Sequence, residues 1–447
     1  MIKGDRRGIS AVRRRLFPHL TNGSIIPRSN PKNAFDMGVD LTTAQGPLVG
    51  LKVLDLSIIV AGGTASSLLA DFGAEVVKVE RPGAGDPLRN WGPFANGVSL
   101  WWKVHSRNKK SITLNLGTPE GQDILKKLAA QADVLIEGFR PGAMERWGLG
   151  PDDLQKVNPK LVMLRYSGFG QTGPYKDRPG FGTIAECMSG YVGMTGFQDT
   201  PPVLPPVPLA DEIAGVFGAM AGMMALYHRD GRGDASGNPD AKGQVVDVSL
   251  FEPLFRLCIP HLTMFDMLGI NRERVGNDFP DAAPRNLYKT ADNRWLGLSA
   301  TSQSTFESLA QAMGMPELID RPEFKDNAAR LENRDALNDE LQGWLGQRDL
   351  KENMDQLIPA GGVVGPVYDA AQIMADPHYQ AREDIIEIDD PELGRTKMLG
   401  IVPKFSETPG AVEHAGPTIG EHNSHIYGSW LGFSEGELAE LTQRGTI

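Results

Sequence analysis

The sequence predicts an α/β protein: a Rossmann-like, mostly parallel sheet forms a large domain, and a smaller α+β domain follows it. Three observations carry this. The chain has 447 residues, 40% of them hydrophobic and 23% charged, enough for two or three domains with sizeable cores. Short apolar strand runs alternate with helical patterns from Leu51 to about residue 255. That rhythm is then lost between about 256 and 385.

The elements follow in order. "LKVLDLS" is a buried-strand run, "IIVAGGTASSLLADFGA" is a glycine turn leading into a helix, and "EVVKVE" is a second strand, which makes a βαβ unit. "KSITLNL" predicts a third strand, and residues 118–132 predict a helix with Thr118 at its N-cap and Pro119 at its first position. "DVLIEGF" is a strand, "PDDLQKVNP" a short helix and "KLVMLRYSGFG" another strand. An Ala/Gly/Met helix over 213–228 comes next, read as buried, followed by a polar loop at 229–244 and the strand "VVDVSLFE". In the second domain "NLYKTADNRWLGLSA" predicts a β-hairpin and "RDALNDELQGWLGQ" an amphipathic helix. Residues 386–447 are expected to return to the large domain and to end in a helix capped by Ser434 with Glu437 at N3. Residues 1–45 carry Arg6, Arg7, Arg13, Arg14, Arg15 and Arg28. Transit segments are similarly Arg-rich, but Asp5, Pro18, Pro27 and the missing apolar periodicity make this a disordered basic extension.

A net charge of −11 and a pI near 5.3 argue against phosphate-backbone binding, so no nucleic-acid partner is expected. Cys187 and Cys258 are the two cysteines, without CxxC or a His-rich tract, so neither a metal site nor a disulfide framework is expected. That usage fits a reducing, cytoplasmic setting. No apolar run reaches the roughly 18 residues of a membrane span, and no membrane association is expected.

Several motifs invite a ligand. "GFGQTG" at 168–173 matches G-x-G-x-x-G after a strand, but Pro174 and Pro179 force a loop where a dinucleotide fold needs a helix. "VAGGTASS" sits at the first βα turn, where free N–H groups can receive an anion, or where Gly62 and Gly63 simply let the helix pack closely. Arg81 and Arg89 follow the second strand on the usual ligand side; each is equally a solvated surface arginine. Phe139, Arg140 and Arg146 suit a purine and its phosphates, while packing through Met144 and Trp147 explains the apolar residues as well. His105, His261, His378 and His422 are scattered and read as structural or surface residues. In "VLPPVPLADEIAG", Asp211 has two readings. It is an N-cap for the following helix, or a dehydrated carboxylate that backbone N–H donors keep ionised for nucleophilic attack.

The ordered blocks "LKVLDLSIIVAGGTASSLLADFGAEVVKVERPGAGDPLR", "NKKSITLNLGTPEG", "DVLIEGFRPGAMERWGLG", "YSGFGQTGPYKDRPGF", "MSGYVGMTGFQDTPPVLPPVPLADEIAG", "KGQVVDVSLFE" and "TIGEHN" resemble the landmarks of the class III CoA-transferases. That family includes formyl-CoA:oxalate and carnitine CoA-transferases and has α-methylacyl-CoA racemase as a relative. The resemblance runs from about Gly50 onward and omits residues 1–45. It implies an acyl-CoA:carboxylate CoA-transferase in which Asp211 forms an aspartyl anhydride and then an aspartyl-CoA thioester, with Glu212 the less interesting of the acidic pair. Coenzyme A enters as a cosubstrate, and no cofactor is tightly bound. The implied CoA-binding positions are Val60, Ala61, Arg81, Leu114, Asn115, Leu116, Gly117, Gly138, Phe139, Arg140 and Arg146. The segment Gly180, Phe181, Gly182 and Thr183 would lie near the thioester with its N–H groups as oxyanion donors. An interlocked homodimer is implied, with a heteromer of homologous subunits as the variant, and the acceptor would be a small or dicarboxylic acid.

The chain also departs from the family pattern. Val60 stands where transferases often carry Gln or Arg, and Phe181 and Gly182 stand where a Tyr or Tyr-Asp pair is common, so the resemblance assigns no acyl pocket. Phe181 also replaces the histidine of the racemase branch and cannot move a proton, which sets racemisation second. A third reading is a catalytically idle acyl-CoA-binding subunit, against which the intact Asp211 stands.

Overall fold

The computed structural model describes residues 46–231 and 241–447. The basic N-terminal extension and the middle of the 229–244 loop, both expected from the sequence, lie outside them. Six parallel strands form the main sheet: β1 (Lys52–Leu56), β2 (Glu75–Glu80), β3 (Lys109–Thr113), β4 (Val134–Glu137), β5 (Val162–Ser167) and β6 (Val245–Ser249). Their order across the sheet is β3-β2-β1-β4-β5-β6. This is the doubly wound order, and it reverses between β1 and β4. Strands buried on both faces read as continuous apolar runs, which is why "VLDL" and "VLIE" carry the signal they do.

Helix α1 (Ala61–Asp71) follows β1, and Thr118 caps α2 (Pro119–Ala129) as the sequence predicts. The short α3 (Gly182–Met188) and the 21-residue α4 (Leu209–Arg229) follow β5 and pack on the same side as α1. Two expectations about α4 are corrected. It begins at Leu209 rather than 213, because Pro208 supplies the entry turn and needs no N–H there. It is also not buried all round. Ala210, Ala214, Gly218, Ala219 and Ala225 form a buried face of small residues, while Val216, Met220, Met224 and Tyr227 are exposed on the other. By length and composition α4 could cross a membrane, but its small-residue face is spent on the sheet layer.

A separate core gathers Tyr288, Leu296, Leu298, Phe306, Leu309, Leu337, Leu341 and Leu357. The predicted hairpin forms there as Arg285–Lys289 antiparallel to Trp295–Ser299, with a third strand at Val364–Pro366, and the predicted amphipathic helix spans Arg334–Leu345. The C-terminal segment returns to β3. Asn423 accepts from the Thr113 N–H, and the Tyr427 hydroxyl donates to the Thr113 carbonyl at 2.7 Å. The Asn115 N–H donates to the Thr446 carbonyl, so the open edge of the sheet is covered. The Ser434–Glu437 capping box forms as expected.

Candidate active site

Where the strand order reverses, the connections leaving β1 and β4 turn to opposite faces of the sheet. A cleft of about 480 Å³ opens outside their carboxyl ends. Eight of the site residues implied by the family resemblance line it: Val60, Ala61, Gly138, Gly180, Phe181, Gly182, Thr183 and Asp211. Four separate chain segments therefore meet in one cavity. No histidine lines the cleft among the described residues.

Asp211 occupies the third position of α4. It is not the N-cap: Pro208 holds that place, and no side chain caps the helix. Backbone hydrogen bonding, expected to keep Asp211 ionised, acts in that direction but is outweighed by burial and the neighbouring acids. Burial, reinforced by the nearby carboxylates of Glu186 and Glu212, pushes its pKa up to about 6. No cation forms an ion pair with it among the described residues. Gly182 begins α3 directly against this side chain, and a Cβ at Gly182 would overlap the Asp211 carboxylate. Glycine at this point is a requirement of close approach.

Sequence reasoning missed four neighbours. Glu186, on the buried face of α3, lines the cleft and accepts from the Ala210 N–H at 3.3 Å. Its signal was an acid in the otherwise weakly polar run "GTIAECM". Tyr166 and Ser167, at the end of β5, line the cleft, and their buried hydroxyls have no partner among the described residues, although that of Tyr166 packs against Gly218 of α4. The Ser167 hydroxyl is thus a donor available to a ligand oxygen. Glu212, set aside at first, accepts from the Thr64 hydroxyl at 2.8 Å, and the Thr64 oxygen lies 3.0 Å from Nε2 of His105.

The remaining predicted positions do not line the cleft. Arg81 is exposed after β2, and Arg140 and Arg146 are exposed after β4; none forms an ion pair among the described residues. Leu114 is buried, Asn115 and Leu116 are half-buried and Gly117 is exposed, all at the end of β3. Phe139 stacks edge-on against Trp147 at 5.1 Å, so its ring belongs to the packing reading. These positions share the carboxyl edge of the sheet with the cleft. Arg89, by contrast, is structural: it makes a two-pronged pair with Glu80, at 2.7 Å for each contact, and lies over the Trp102 ring. The "GFGQTG" segment is a loop, as its prolines require. The glycine pair serves both of its readings: a Cβ on either would collide, with Ser57 or with His105, and the same turn borders the cleft.

Below the cleft lies a buried charge cluster. Asp55 is fully buried and accepts from the hydroxyls of Ser57 and Ser66, each at 2.5 Å. Lys78 reaches Asp86 at 2.9 Å and Asp55 at 3.6 Å, while Lys109 lies 3.4 Å from Asp55. Burial opposes ionisation of Asp55, but the two lysines and two hydroxyls prevail and hold its pKa at about 2. Lys78 is correspondingly raised, and Lys109, desolvated and beside a second lysine, falls to about 8.

The family model described as CoA-transferase family III matches residues 48–423. The chain belongs to that family. It is 43% identical over 402 residues to the succinyl-CoA–D-citramalate CoA-transferase of Chloroflexus aurantiacus, covering 90% of this chain and 98% of that protein. It is 38% identical over 413 residues to the succinyl-CoA–L-malate CoA-transferase beta subunit of the same organism, covering 92% of this chain and all of that one. Among solved structures, a CAIB/BAIF family protein from Brucella suis superposes with a TM-score of 0.75 at 31% identity, covering 86% of this chain and 100% of the other. This member of CoA-transferase family III is accordingly an enzyme of acyl-CoA:acid CoA transfer, with CoA thioesters and carboxylic acids as its substrates.

Proposed function

We propose that this chain moves CoA between two carboxylic acids through covalent intermediates on Asp211. The observation that carries the reading is the position of Asp211: a dehydrated carboxylate in the switch-point cleft, paired with no cation among the described residues and with Gly182 pressed against it. The carboxylate adds to the donor thioester carbonyl. The C–S bond breaks, giving a mixed anhydride and CoA thiolate. The thiolate then attacks the Asp211 carbonyl and the donor acid leaves, so CoA is held as a β-aspartyl thioester. The acceptor carboxylate attacks that carbonyl and expels the thiolate. The thiolate in turn takes the acceptor acyl group from the new anhydride and regenerates Asp211. A pKa near 6 suits both roles, being basic enough to attack yet ionised at neutral pH.

The names of the relatives support succinyl-CoA as donor and a hydroxylated dicarboxylic acid as acceptor. Among the described residues no histidine lines the cleft, which argues against racemisation there. Incubation with succinyl-CoA, quenching with hydroxylamine or borohydride and peptide mapping should locate the label within residues 203–215. Transfer that proceeds while this peptide stays unlabelled would refute the mechanism.

Self-association belongs to the same proposal. Val216, Met220, Met224 and Tyr227 on α4 and Leu257, Ile259, Leu262 and Met267 after it are all exposed, and exposed apolar side chains in such numbers suit a partner surface. An interlocked homodimer would cover it, and a homologous subunit could take the partner's place, as the relative named a beta subunit suggests. Sedimentation should give twice the chain mass for the protein expressed alone.

A further inference from the structure

We propose that Thr64 and His105 form a hydrogen-bonded relay that fixes Glu212 as an anion beside Asp211, so that Glu212 tunes the nucleophile rather than reacting itself. The inference rests on the reading of Asp211 as nucleophile. It deepens that reading by assigning positioning residues from two other elements, α1 and the helix Leu100–His105.

The geometry fixes the direction of the relay. Glu212 Oε2 lies 2.8 Å from the Thr64 hydroxyl, and a carboxylate can only accept, so Thr64 donates. The Thr64 oxygen is then left as acceptor for its second neighbour, Nε2 of His105 at 3.0 Å, which must carry the ring proton. That tautomer requires a neutral imidazole if Nδ1 is bare. The surroundings supply it: burial first, then the charge of Lys109, drive the His105 pKa down to about 3. Lys78 and Arg107 add to the effect, while Asp55 opposes it. Lys109 is itself tied to the Gly63 carbonyl at 2.9 Å and to Asp55, so it holds the floor of the relay without reaching Glu212. The ring also has no freedom to swing away, because it packs where a Cβ at Gly63 would sit, and the Ser67 hydroxyl donates to the His105 carbonyl.

The effect on Asp211 is electrostatic. Its neighbouring charges are Glu186 from α3 and Glu212 from its own helix, both negative. Burial pushes Glu212 upward, and the Thr64 hydrogen bond opposes that push. Without the hydroxyl, Glu212 would protonate more readily, Asp211 would lose a repelling charge and would become a weaker base. The relay therefore keeps the nucleophile basic from a distance, through a residue that never touches the acyl group.

Three full-length variants test this. Glu212→Gln removes the charge and keeps the shape, Thr64→Val removes the donor and keeps the volume, and Thr64→Ser restores the hydroxyl. Asp211 is titrated directly by 13C NMR on protein labelled at the aspartate carboxyls, its signal assigned by its loss in Asp211→Asn, and kcat/KM is followed over about pH 5 to 9. In Glu212→Gln the Asp211 midpoint should fall, by on the order of one pH unit, because a like charge nearby disfavours ionisation. Thr64→Val should move it in the same direction by less, and Thr64→Ser should leave it in place. The acid limb of kcat/KM should shift with it. A midpoint unmoved in both Glu212→Gln and Thr64→Val, or a rate lowered equally at every pH, would overturn the relay. The two readings fail separately. Should the titration move as described while no aspartyl label ever forms, the nucleophile assignment is wrong and the relay stands as an electrostatic device.

Discussion

Two groups of buried carboxylates lie close together in this chain and titrate in opposite directions. Asp55, beneath the cleft, is enclosed by Lys78, Lys109 and two hydroxyls and stays ionised far into acid. Asp211, in the cleft, is surrounded by Glu186 and Glu212 and gives up its proton only near pH 6. Burial pushes both upward; the difference lies in the sign of the neighbours. The first arrangement holds strands and helix together, since each charge is matched. In the second, the fold tolerates mismatched charge at the one place where a basic, poorly solvated carboxylate has chemical use.

That contrast can be broken from either side. The largest effect is expected from Asp211→Asn, which should cut transfer on the order of 10³-fold or more while leaving CoA binding in place, as steady-state rates and calorimetric titration would check. Loss of folding in that variant would instead point to a structural role for the carboxylate. Asp55→Asn leaves two buried lysines short of a counter-charge and should destabilise the fold by roughly 3–5 kcal/mol, read from denaturant unfolding. Gly182→Ala forces the Asp211 carboxylate aside and should lower kcat by about 10²-fold with little change in the unfolding midpoint. The smallest effect is the most specific. A raised folded-state pKa means that ionising Asp211 costs stability, absent below its unfolded value near 4 and complete above about pH 6. Asp211→Asn should therefore be more stable than the parent at pH 7.5, by at most ~3 kcal/mol, with the gain vanishing near pH 4.

The sheet was legible because its strands are buried on both faces and announce themselves as apolar runs. The caps at Thr118 and Ser434 were legible because capping chemistry is local. The start of α4 was misplaced by four residues because Asp211 looks like a cap, while the preceding proline, which can stand just outside a helix without donating, carries no comparable label. Among site residues, those at strand ends and glycine turns were found, since the doubly wound fold puts ligands there. Glu186 and the relay were not. Thr64 meets His105 across 41 positions and Glu212 across 148, and no local pattern encodes such a meeting. The identity of the acyl pocket was equally silent, because Val60 and Phe181 are unremarkable apolar residues until the fold sets them beside Asp211.

The seal over β3 has a consequence for how the chain is made. The Tyr427 hydroxyl reaches a carbonyl 314 positions earlier, so the flank of the sheet remains unlatched until almost all of the described chain has left the ribosome. For that interval the strand at 109–113 is a ready template for pairing with a neighbouring nascent chain. Yield in cells should then depend on how quickly the last segment arrives and on chaperones that occupy the open flank meanwhile.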